Sequence, residues 1–296
     1  MAAARRSRSA RPVRAAEVAA PAASLEPRLL LAADLTAAVV DGTLEVTGTD
    51  AADAARVVVR GDGEVLVRGL RGATVNGERS ARFEGVEALA ADLGDGADRL
   101  IVNGRGGELA TADLALGGGR DRLAVRNLGA GAVTVDLGAG GGRAAVRGLD
   151  AGSLSIVGGA GGDTLVLAGS DVAGDVTADL GAGRDRFIAV RTAAGGAVTA
   201  DLGAGRDLFT AVDLAAGSVA VSGGDGGDAV VLSRADVAGD LTVDAGAGDD
   251  AVALPDPGGL GGAVSVDGGD GDRDVLLGTT GFGPDAVFTG FEFELG

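Results

Sequence analysis

Seven aspartates stand in one repeated setting, Gly-x-Gly-x-Asp-x-apolar: Asp98, Asp121, Asp163, Asp185, Asp207, Asp228 and Asp250. Carboxylates are nearly the whole chemical repertoire of this chain. Its 296 residues include 43 Asp and Glu but no Cys, His, Trp, Tyr or Lys, so all 25 basic residues are Arg. No thiolate, imidazole, Schiff-base amine or phenol is on hand for nucleophilic or acid–base work. Zinc sites of the Cys or His kind are excluded as well. What carboxylates can do is hold hard, oxygen-seeking cations such as calcium.

The spacing of these aspartates is regular. A degenerate copy, GAGGG at 138 to 142, puts Gly142 in the Asp slot, and GDGDRD at 269 to 274 closes the series near Asp272. Successive points lie 21 to 23 residues apart. Asp98, Asp163 and Asp228 also repeat at an offset of 65, so three rungs form one longer unit and three units fill roughly 92 to 286. Such a series marks a solenoid grown by internal duplication.

The elements that carry the turns follow from side-chain alternation. Before each glycine turn lies a segment such as Ala132-Val-Thr-Val-Asp-Leu, in which Val133, Val135 and Leu137 are expected to face inward and Thr134 and Asp136 outward. After the turn comes a second short strand, such as Thr164-Leu-Val-Leu or Arg186-Phe-Ile-Ala-Val. Rungs of this size bury no core alone but stack into one, so the expected fold is all-β, a right-handed parallel β-helix with about nine or more rungs of ~22 residues. At ~4.8 Å per rung the rod is about 40 Å long. With only 7 Phe, the core is expected to be thin layers of Ala, Val, Leu and Ile.

The turns resemble the hemolysin-type (RTX) repeat, GGxGxDxUx, with a large apolar residue at U. Gly158 to Leu165 and Gly223 to Val230 match it fully. The resemblance covers about two thirds of the chain and implies calcium bound between neighbouring rungs by the Asp carboxylate and the turn carbonyls. Carried over by position, the implied ligands are Asp98, Asp121, Asp163, Asp185, Asp207, Asp228 and Asp250. Independently, stacked carboxylates ~5 Å apart repel by roughly 3 kcal/mol at an effective dielectric of 20, so something must neutralise the column. The chain departs from the family in having one glycine turn per ~22 residues, which leaves the opposing half of each site unassigned. Arg120, Arg184 and Arg206 precede the ladder aspartates and Arg99, Arg122 and Arg186 follow them, so guanidiniums could neutralise the column without metal. The turns at Asp163, Asp225 with Asp228, and Asp249 with Asp250, which carry no Arg, and the acid-rich turn of Asp270 with Asp272 and Asp274 are the stronger calcium candidates. Asp as a plain turn-capping residue stays open beside both.

Charge and addressing complete the reading. Net charge is -18, split into +4 over residues 1 to 31 and -22 over the rest. An acidic body makes nucleic acid an unsuitable partner. No apolar run reaches the ~18 residues of a membrane span. Arg5, Arg6, Arg8, Arg11 and Arg14 form a basic arm, and Glu17 and Pro21 break the apolar stretch a cleavable signal requires. Leu25, Glu26, Pro27, Arg28, Leu30 and Leu31 then resemble the LEPR-XLL motif of large bacterial surface or secreted repeat proteins, which implies sorting; a short helix start is the alternative. The organisation expected is a basic disordered arm over 1–24, the motif over 25–35, an N-terminal cap or atypical first rungs over 36–91, the array over 92–286 and a C-terminal cap over 287–296. Phe282, Phe288, Phe291 and Phe293 suit a hydrophobic end-cap. The function expected is a secreted or cell-surface, calcium-binding scaffold with an adhesin-like role and surface or extracellular polymers as partners. The alternatives are a metal-free structural rod with Arg and Asp ladders, or a polysaccharide-cleaving β-helix enzyme using clustered Asp.

Overall fold

In the repeated segment Val133, Val135 and Leu137 are buried while Thr134 and Asp136 are exposed, as period-two alternation requires. The same alternation, rung after rung, produces a parallel β-helix. The structure, a computed structural model, describes residues 34–256, 258–278 and 282–295. The basic arm and the Leu25–Leu31 motif lie outside the described residues.

Each coil contributes two principal strands and a short third one, all pairing in parallel with their equivalents one coil away. On the first face, Leu44, Leu89, Ala112, Val133, Leu154, Val176, Val198, Val219, Leu241 and Val264 stack in register. On the second, Leu100, Leu123, Ala144, Leu165, Phe187, Phe209, Val230, Val252 and Leu276 do the same. These columns converge on one apolar core running the length of the array. Each fully buried Val, Leu or Phe in it contributes about 1.5–3 kcal/mol, and every coil depends on its neighbours to provide that burial. Phe187 and Phe209, both fully buried on adjacent coils, meet edge to face with ring centroids 5.3 Å apart.

The first coil is not regular. Strand β1 (Asp34–Val40) folds back antiparallel on β2 (Thr43–Thr47) through Asp41 and Gly42, both at positive φ, the turn an Asp-Gly pair favours. Strand β2 then pairs in parallel with Ala88–Asp92. Between them, β3 (Ala54–Arg60) and β4 (Val65–Gly69) form the hairpin expected around Gly61-Asp-Gly, with Val59 opposite Val65. Ser80–Phe83 adds a further antiparallel strand to it. At the other end Val287–Thr289 pairs with Val264–Asp267, and Phe282, Phe288 and Phe291 pack against the core.

Candidate functional site, the aspartate ladder

The glycine turns are stacked so closely that the column leaves no space for a side chain. A Cβ on Gly119, whose φ is +143°, would lie 1.4 Å from the carbonyl oxygen of Gly96 one coil earlier, and Gly226 meets Gly205 in the same way. Glycine is therefore required by contact as well as by backbone conformation. The turn returns the chain to its next strand with the aspartate on the inner side, because Asp98, Leu100 and Val102 share one face at a spacing of two. Asp98, Asp121, Asp163, Asp185, Asp207, Asp228, Asp250 and Asp274 are all at most 3% exposed.

Their hydrogen bonds run coil to coil along the rod, with one break at Gly142. The Oδ1 of each accepts the backbone N–H of the ladder residue one coil earlier. Asp98 N–H donates to Asp121 at 2.7 Å, Asp163 to Asp185 at 2.5 Å, Asp185 to Asp207 at 2.6 Å, Asp207 to Asp228 at 2.8 Å, Asp228 to Asp250 at 2.6 Å and Asp250 to Asp274 at 2.7 Å. Gly142 supplies no carboxylate, but its own N–H donates to Asp163 at 2.6 Å. Two members escaped the sequence pattern. Asp53 heads the ladder, 45 residues before Asp98 because the hairpin is inserted there, and Glu292 closes it by accepting Asp274 N–H. The last regular member is Asp274; Asp272 is exposed.

The second oxygen of each ladder carboxylate has a different fate. The Oδ2 atoms of Asp98, Asp121, Asp163, Asp185, Asp207, Asp228, Asp250 and Asp274 are buried without a hydrogen-bond partner, as is Oδ1 of Asp53. Burial pushes the Asp98 carboxyl up to about 7 and those of Asp185, Asp207 and Asp250 up to about 6, against the pull of the N–H each accepts. Asp121, Asp163, Asp228 and Asp274 are raised for the same reason. Guanidinium groups do not offset this. Among the described residues the ion pairs are Arg60 and Arg82 with Glu64, and Arg234 with Asp213; none reaches the ladder. Arg120, Arg122, Arg184, Arg186 and Arg206 line surface concavities outside the turns instead.

The remaining sequence candidates lie elsewhere. Asp225, Asp249 and Asp270 are exposed, and Asp225 and Asp270 share a column with Ala247 between them. Among the described residues no three Asp or Glu side chains converge on a point where one ion could sit. An ion on the ladder therefore has to draw on carboxylates of adjacent coils together with backbone oxygens. The orphaned Oδ2 atoms suit such a cation in donor chemistry, since calcium takes six to eight oxygens that include carbonyls.

The opposite principal face carries a groove of about 340 Å³ near the first coils, with Glu45, Asp92, Asp113 and Asp136 around an apolar floor of Ala90 and Ala115. No helix among the described residues is long and apolar enough to cross a membrane. Comparison with known protein families, curated proteins and solved structures finds no match to this chain.

Proposed function

We propose that the chain is a structural repeat rod, stabilised by calcium along its aspartate ladder, that serves as a secreted or cell-surface scaffold with an adhesin-like role. The observation that supports this is the column of buried carboxylates, each with one oxygen unpartnered and none paired with arginine. A buried unpaired charge is costly, so the column requires a proton or a cation for each such oxygen. Asp98, Asp121, Asp163, Asp185, Asp207, Asp228, Asp250 and Asp274 would hold the ions, and the ions would supply charge neutralisation, which binding adds to folding free energy. The placement outside the cell rests on the Leu25–Leu31 motif. The test is the melting temperature of the intact chain, followed by strand circular dichroism, with calcium, magnesium or chelator. A rise with calcium that magnesium does not reproduce supports the reading; a curve unchanged by calcium and chelator removes it and leaves a proton-neutralised, metal-free rod.

The groove at Glu45, Asp92, Asp113 and Asp136 favours a second reading, a polysaccharide-cleaving enzyme in which two of these clustered carboxylates act as acid and base. Reducing-end release from a panel of anionic and neutral glycans, abolished by Asp113→Asn, would establish it. No release from any of them would exclude it.

A further inference from the structure

The ladder lacks a carboxylate at one internal rung, and arginines gather on the outside of the rod there. Gly142 occupies the aspartate slot, so the buried negative column is interrupted between Asp121 and Asp163. Directly outside, Arg99, Arg122 and Arg143 stand in register on three successive coils at the start of their strands. Arg120 adds a fourth guanidinium beside them. Arg120, Arg122 and Arg143 are exposed, and among the described residues none of the four forms an ion pair. Like charges in register on adjacent strands oppose pairing, so an anion bound between them would relieve the fold as well as satisfy them.

A concavity of about 410 Å³ lies at this point, lined by Arg120, Arg122 and Arg143 and floored by the side-chain-free turns at Gly141 and Gly161. Gly141 and Gly161 have φ of +86° and +114°, the backbone geometry from which anion-holding concavities of N–H groups are made. The N–H of Gly161 is taken by the carbonyl of Ala182, while no hydrogen bond among the described residues uses that of Gly141 or Gly162. Asp121 also borders the space, but its side chain is 1% exposed and its Oδ1 accepts Asp98 N–H, so its carboxylate is held inside.

We propose that the Arg120, Arg122 and Arg143 concavity binds a tetrahedral oxyanion, a sulfate or phosphate group. Three guanidiniums supply the charge-assisted donors such a group takes. The volume exceeds what the bare anion fills, which leaves room for the sugar or other residue that carries it. The ligand class is thus an oxyanion on a polymer or a small molecule. Its recognition is independent of calcium on the ladder, since no ladder Oδ2 atom takes part.

The experiment is calorimetric titration of the intact chain at low ionic strength with inorganic sulfate, inorganic phosphate, dextran sulfate and polyphosphate. It is run in a buffer where circular dichroism has verified the strand signal for each variant. Binding of at least one probe is expected, weakened about tenfold or more in Arg122→Ala and in Arg143→Ala. Arg273→Ala, an exposed change on a distant coil, should leave it unaltered. The sulfated and phosphorylated arms distinguish the two groups, and the free and polymeric arms distinguish the two sources. Absence of binding to all four probes, or equal binding by folded wild-type, Arg122→Ala and Arg143→Ala chains, would overturn the proposal.

Discussion

In metal-free buffer the rod is expected to become more stable as the solution is acidified from pH 7 to pH 5, the reverse of ordinary acid denaturation. The unfolded chain titrates its aspartates near 3.9, while burial holds the ladder carboxyls near 6 to 7. Between those values the folded state binds more protons than the unfolded one, so stability rises as pH falls. Asp98, at about 7, gains about 2 kcal/mol over this interval, and Asp185, Asp207 and Asp250, at about 6, gain roughly 1–2 kcal/mol each. Together they amount to roughly 6 kcal/mol, an upper bound because neighbouring protons are shared along the column. Asp34 and Asp213 are shifted the other way, by the Gly77 N–H and by Arg234, and weaken the fold only below about pH 4, outside the interval. Guanidinium denaturation of metal-free protein at pH 5, 6, 7 and 8 provides the readout. The midpoint should climb steadily toward pH 5. A midpoint that is flat, or that falls on acidification above pH 5, would refute the buried-charge argument.

Substitutions separate the parts of the ladder. Asp185→Ala leaves Asp163 N–H without its acceptor and should cost about 1–3 kcal/mol in chemical denaturation. Asp185→Asn keeps an acceptor and removes a charge, so metal-free it should cost less than the alanine change and flatten the pH dependence. Gly119→Ala drives a methyl into the Gly96 carbonyl at an unfavourable φ, and loss of soluble folded protein or a drop of more than about 3 kcal/mol is expected. Phe187→Ala leaves a cavity beside Phe209 in the buried core and should lower stability by about 3–5 kcal/mol.

Much of this architecture was legible in the sequence because a solenoid writes its register as a period. The positions of Asp98 through Asp250, the vacant slot at Gly142, the alternation at Val133 to Leu137 and the hairpin around Asp62 all follow from spacing. Periodicity does not by itself say on which side of a turn a carboxylate lies. The signal was present nonetheless: in Asp98-x-Leu100-x-Val102 the aspartate has the parity of the core residues. Asp53 repeats that parity with Ala55 and Val57, but the hairpin insertion stretches its offset to 45 residues and hides it. Glu292 was illegible because it is a longer acid, 18 residues after Asp274, in a coil with no glycine turn like the others. The arginines beside the ladder aspartates misled for a related reason, since adjacent residues in an extended chain point to opposite faces. They face solvent while the aspartates face the core.

The proposal that calcium occupies the aspartate ladder is tested most directly by the metal content of the intact, folded chain. The protein is equilibrated against calcium, dialysed into metal-free buffer and weighed by native mass spectrometry beside an Asp163→Asn, Asp185→Asn, Asp207→Asn variant. Several calcium ions retained per chain, reduced in number by the three changes while the strand signal persists, is the result predicted. A folded wild-type chain that carries no calcium, or the same amount as the variant, would contradict it.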